Sequence, residues 1–177
     1  MADKNYISYA DVDGETIENT VFPAAGTTQS DFSDILKLSH AKNTVVRGCH
    51  IYGGKEDCVD MNRNCENILI ENCTVYPFGS YGFTIKGGAK NITLRNVIFD
   101  GHGREADIDL GNWSDQSMEQ TTNVVLENVR TLDGSPVKVR VLWAEKPTIV
   151  DSNVKLLVIP KPIIWAYRWL RVRKLVP

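Results

Sequence analysis

Several things are missing from this 177-residue chain, and each absence excludes something. The opening residues, MADKNYISYADVDGE, hold no apolar segment of the kind a secretion signal needs. The apolar stretch from Leu156 to Ile159 falls far short of the roughly 20 residues that span a bilayer, so no membrane partner is expected. No Cys-x-x-Cys spacing occurs among Cys49, Cys58, Cys65 and Cys73, and the nearest histidine, His50, points to the opposite strand face from Cys49. Cys49 and Cys73 occupy the same place in successive phrases and read as stacked core residues rather than a disulfide frame or a zinc site, and no metal or other cofactor is expected. Finally, no acid follows Asp151. Lys155, Lys161, Arg168, Arg171, Arg173 and Lys174 lie in that acid-free end, which leaves 14 bases against 22 acids in the rest. An acidic body argues against a nucleic-acid partner, and a basic, aromatic tail suggests a contact that the body does not make.

What is present is a repeat. AKNTVVRGCHIY, CENILIENCTVY, AKNITLRNVIFD and TTNVVLENVRTL each open on an asparagine, at Asn43, Asn67, Asn91 and Asn123, at intervals of 24, 24 and 32 residues. A period of this size marks a solenoid, in which one repeat cannot bury its own apolar face. Inside each phrase the apolar residues alternate, which is the strand signal: Thr44 with Val46, Ile68 with Ile70, Ile92 with Leu94, Val124 with Leu126. The phase then slips by one, and Cys49/Ile51, Cys73/Val75 and Val97/Phe99 resume it on the other parity. A one-residue slip turns the strand face, so the chain bends there, at Gly48, Asn72, Asn96 and Asn128. Asparagine and glycine both tolerate the left-handed conformation, and the asparagines are expected to stack as a ladder that Gly48 continues.

A third strand per repeat is carried by DILKLS, DCVDMN, YGFTIKG and ADIDLG. It sets Leu36/Leu38, Val59/Met61, Phe83/Ile85 and Ile108/Leu110 in register. Three short strands per turn of about 24 residues predict an all-β chain, a right-handed parallel β-helix of about five rungs. The expected organisation is an N-terminal arm over 1–30, the β-helix over 31–155 and a capping or assembly tail over 156–177. The eight residues added in the 32-residue interval form a protruding loop containing Trp113.

With its asparagine bends, this three-strand rung resembles the β-helix of the pectin-lyase-like superfamily, which includes pectate lyases, polygalacturonases and phage tailspikes. A polygalacturonase-like site would place Asp34 of FSDILKLS first, then Glu56 and Asp57 of KEDCVDMN as the acid pair. The resemblance departs from that pattern further on. Tyr81 stands where a histidine is wanted, and the Gly-His-Gly run at Gly101 to Gly103 comes a strand too late. Lys138 to Val141 is a faint echo of the basic motif. A pectate-lyase site would draw on Asp100, Asp107, Asp109 and Asp115 with Arg104, yet Asp107 and Asp109 have outer-face parity and read as solvated.

The resemblance therefore implies a phage virion structural protein, a head decoration or tail accessory and attachment protein, rather than a working polygalacturonase. The alternative is a small carbohydrate-active enzyme or sugar-binding module. Trp113 and Tyr81 are the candidate sugar contacts, and a host surface glycan is a candidate ligand. The expected partners are other virion subunits in a homo-oligomer, a trimer foremost, joined through Trp165, Tyr167, Arg168, Trp169, Arg171 and Arg173.

Overall fold

The computed structural model describes residues 7–22, 34–53, 55–77, 79–111 and 119–159. Trp113 and the tail residues Trp165, Tyr167, Arg168, Trp169, Arg171 and Arg173 lie outside them.

The chain coils through repeating three-strand turns. The first is β1 (Ile7–Ala10), β2 (Thr16–Glu18) and β3 (Val21–Phe22); the second is β4 (Asp34–Ser39), β5 (Val45–Arg47) and β6 (His50–Tyr52). The third is β7 (Asp57–Asn62), β8 (Glu66–Glu71) and β9 (Thr74–Tyr76), and the fourth β10 (Tyr81–Ile85), β11 (Lys90–Arg95) and β12 (Ile98–Phe99). A fifth follows with β13 (Ile108–Leu110), β14 (Thr122–Glu127) and β15 (Arg130–Thr131). The last strands are β16 (Val137–Val141), β17 (Thr148–Val150) and β18 (Val154–Val158). Equivalent strands stack into three sheets, all paired in parallel. Sheet A runs β1-β4-β7-β10-β13-β16-β18, sheet B holds β2, β5, β8, β11, β14 and β17, and sheet C holds β3, β6, β9, β12 and β15.

Two boundaries differ from the sequence expectation. The segment read as an arm contains a full turn: β1 pairs with β4, β2 with β5 and β3 with β6. Its phrase, DGETIENTVF, carries Gly14 where later phrases carry the opening asparagine, and Asn19 at the bend. At the other end, β18 pairs with β16 from Val137↔Val154 to Val141↔Val158, so the coil runs past residue 155.

The interior is a stack of aliphatic columns. Leu36, Val59, Phe83, Ile108 and Val139 are in register on sheet A, and all are buried. Val46, Ile70, Leu94 and Leu126 do the same on sheet B. Phe83 meets Phe99 of sheet C edge to face, with centroids 5.8 Å apart. Cys49, Cys58, Cys65 and Cys73 are free thiols inside this packing.

The corners are built by asparagine. Asn72, Asn96 and Asn128 adopt φ of 54°, 51° and 49°; the Asn96 side-chain amide donates to Asn72 Oδ1 and that of Asn128 to Asn96 Oδ1, each at 2.9 Å. Gly48 continues the column at φ 62°, where an added Cβ would lie 2.6 Å from Asn19 Oδ1. A second ladder, which the repeat phrase marks but the alternation alone does not place at a corner, joins the phrase-opening residues. Asn123, Asn91, Asn67 and Asn43 donate in turn down to Asp13, over 2.7 to 2.9 Å. Both ladders add side-chain bonds between successive turns at positions where the backbone is left-handed.

Candidate functional site

The chemistry-bearing residues gather on the outer face of sheet A. Side chains that alternate with the buried aliphatics must point outward. In register these are Lys37, Asp60, Thr84, Asp109 and Arg140. A parallel row at the strand starts holds Asp34, Asp57 and Tyr81. Tyr81 reaches the outer face through a bulge, since the amides of Gly82 and Phe83 both donate to the Asp107 carbonyl. Gly82 is required there, because a Cβ would come within 2.4 Å of the Phe99 ring.

The first cluster is acidic with two lysines. Asp34 and Asp57 are register neighbours on adjacent strands, as the polygalacturonase comparison suggested. Glu56 is exposed and takes no part; Asp60, which the sequence reading passed over, replaces it. Asp60 sits between Lys37 Nζ at 3.1 Å and Lys86 Nζ at 3.0 Å, and Lys37 also reaches Asp34 at 3.3 Å. Burial pushes the Asp57 carboxyl up to about 7, with the neighbouring Asp34 and Asp60 adding to the effect. Asp34 is raised for the same first reason.

The second cluster centres on Arg140, in the Lys138 to Val141 segment. Its Nε and Nη2 grip the two oxygens of Asp109 at 2.8 and 3.1 Å, and its Nη1 meets Glu105 at 2.9 Å. Tyr81 donates to Glu105 at 2.5 Å and accepts from Arg140 Nη2, while the guanidinium carbon lies 4.9 Å from the Tyr81 ring centre. Burial raises the Tyr81 hydroxyl and keeps it a donor. Beside Arg140 opens a cavity of about 290 Å³ whose lining includes Glu105, Val139, Lys155 and Leu156.

Asp107 and Asp109, expected in solvent, are fully buried. Their outer-face parity is as read, but each is enclosed by groups that satisfy it: Asp109 by Arg140, and Asp107 by His102 and two backbone amides. Arg104 turns away and donates to the Lys55 carbonyl. Among the described residues no group of three or more His, Cys, Asp or Glu is arranged to hold a metal ion. On sheet C, Tyr52 and Tyr76 stack in register at 4.1 Å with their planes 7° apart, an aromatic pair that the outward parity of HIY and TVY would have revealed.

The fold and this face define a β-helix whose outer sheet carries the polar work. Residues 3–129 match the family described as right handed beta helix region, and the chain belongs to that family. It is also 28% identical over 120 residues to a capsule K1-specific depolymerase of Klebsiella phage K64-1. That match takes in 61% of this chain and 12% of the phage protein, so the chain spans only a small part of that relative's length.

Proposed function

We propose that this protein is a tail-associated component of a bacteriophage virion that meets a host capsular polysaccharide with the outer face of sheet A. The observation that carries the reading is the Tyr81–Arg140 platform on a continuous seven-stranded sheet, with a ring, a guanidinium and flanking carboxylates beside an open recess. Such a strip offers what a charged, hydroxylated polymer needs: an apolar ring face and convergent donors and acceptors. The similarity to a phage capsule depolymerase supports the phage setting and the choice of ligand class. Attachment and structural roles rest on the charges being answered within the protein, which makes the face rigid. Assembly as a trimer through the aromatic-basic tail belongs to the same reading.

The test is titration calorimetry against a panel of purified capsular polysaccharides, K1-type included, with light scattering for mass. Binding to one member that weakens at least tenfold in Arg140→Ala, in a trimer, is the expected result. A chain that binds no member of the panel, or one that Arg140→Ala binds equally well, overturns it.

One observation favours a second reading, hydrolysis of that polymer. A glycosidase needs one carboxyl protonated near neutral pH beside an ionised partner, and Asp57 at about 7 next to Asp60 between its lysines has that form. Release of reducing ends that disappears in Asp57→Asn would favour it over simple attachment.

A further inference from the structure

His102, in the Gly101 to Gly103 run, makes its contacts outside the two clusters described above. It lies in the connection from β12 to β13, and one turn further on the equivalent connection from β15 to β16 carries Ser135. The two meet: His102 Nε2 is 2.8 Å from Ser135 Oγ. On the other side, His102 Nδ1 is 2.9 Å from Asp107 Oδ2 and 3.1 Å from Oδ1. Asp107 is fully buried and held on both oxygens, by the Gly103 amide at 2.9 Å and the Lys138 amide at 2.8 Å. Gly103 has no alternative, since a Cβ there would stand 2.1 Å from the Ala106 carbonyl oxygen.

A hydroxyl, an imidazole and a buried, backbone-fixed carboxylate in this order have the roles of a nucleophile, a general base and its orienting group. Such a set is recognised by geometry and not by the fold that bears it. We propose that Ser135, His102 and Asp107 form an acyl-transfer site that hydrolyses short-chain O-acyl esters, with residues distinct from those of the Tyr81–Arg140 platform.

In the reaction, Ser135 Oγ bonds to the ester carbonyl carbon and its proton passes to His102 Nε2. Asp107 holds Nδ1–H and balances the imidazolium. Collapse breaks the carbon–alkoxy bond, and Nε2–H protonates the leaving alcohol. Water then attacks the acyl-serine, giving its proton to Nε2, and the carboxylic acid and Ser135 are released. No oxidant, reductant or metal is required.

Two neighbours set the expected behaviour. Asp133 Oδ1 lies 2.6 Å from Ser135 Oγ and also accepts the Ser135 amide at 3.0 Å, so it competes with His102 for the hydroxyl proton. Pro136 follows the serine and has no N–H to offer an oxyanion, so turnover is modest. The open turn, with Asp133, Gly134 and Pro136 exposed, suits a small acyl group.

The experiment treats the full chain with p-nitrophenyl acetate and, separately, with a fluorophosphonate probe, followed by peptide mass analysis. Expected are turnover at least tenfold above Ser135→Ala, a loss of about 10²-fold or more in His102→Gln, and one phosphonyl group on Ser135. Asp133→Ala should raise the rate several-fold by freeing the hydroxyl, a gain that a purely structural corner bond would not give. Turnover that persists in Ser135→Ala, or a folded wild-type chain left unlabelled at Ser135, overturns the proposal. Should Ser135→Ala fail to fold, labelling of the wild-type chain decides alone.

Discussion

Arg140 and Asp109, register neighbours on adjacent strands of sheet A, meet through two nearly parallel hydrogen bonds of 2.8 and 3.1 Å. The carboxylate is fully buried and the guanidinium mostly so. A pair of this kind adds little over an apolar pair of the same shape, but breaking it strands a charge. Arg140→Met should therefore cost about 3 kcal/mol in urea unfolding, whereas the double variant Arg140→Met with Asp109→Leu should recover most of the loss. A single variant as stable as wild type would mean that water reaches Asp109 and replaces the arginine.

The Asn72–Asn96–Asn128 ladder predicts an ordering of substitutions. At Asn96 the backbone has φ 51°, so leucine meets both the left-handed penalty and the loss of two amide bonds. Glycine meets only the second. Asn96→Leu should destabilise by about 1–3 kcal/mol and Asn96→Gly by about 1 kcal/mol. Equal losses would show that the conformation, and not the ladder, is irrelevant at this corner.

Asp57 makes stability depend on pH in a defined direction. Its folded carboxyl titrates near 7, raised by burial, while in the unfolded chain it titrates near the ordinary value of about 4. Between those values the unfolded chain has lost its proton and the folded chain has kept it, so stability falls as pH rises through the window and levels off above it. Asp57→Asn, which mimics the neutral form, should match wild type near pH 4 and exceed it by about 4 kcal/mol at pH 8. Chemical denaturation at the two pH values decides. A constant difference would place the titration elsewhere.

How far the sequence led depended on where the physics is local. The coil was legible because each strand's alternation, the one-residue slip and the asparagine bend all occur within a dozen residues and then recur. The first turn was missed where that regularity is hidden: Gly14 stands in the place of Asn43 29 residues before it, with residues 23–33 intervening. Asp34 and Asp57 could be stacked from spacing alone. Arg140 could not be singled out, because its partners Tyr81, Glu105 and Asp109 come from earlier turns and converge only in space. For Asp107 and Asp109, parity gave the correct face but not the environment. An outward side chain on a sheet is still buried when long neighbours fold over it and answer its charge. His102 and Ser135 illustrate the same limit, since their shared corner follows from the turn register and from no motif.

The last prediction concerns the open end of the coil. Past β16 the described residues leave Leu157 and Val158 on β18 and Ile149 and Val150 on β17 exposed, at 57%, 42%, 39% and 41%. An apolar terminal turn whose last strands have no further partner among the described residues invites further pairing or a partner's surface. The sequence that follows holds Trp165, Tyr167 and Trp169 among Arg168, Arg171 and Arg173 and no acid, which is poorly suited to water and complementary to an acidic body. Deleting residues 161–177 should leave the strand spectrum and the unfolding midpoint of the coil nearly unchanged while abolishing the trimer proposed for the full chain, as read by light scattering. If the truncated chain keeps the same mass in solution, the contacts between subunits lie on the sheets themselves and the tail serves its own chain.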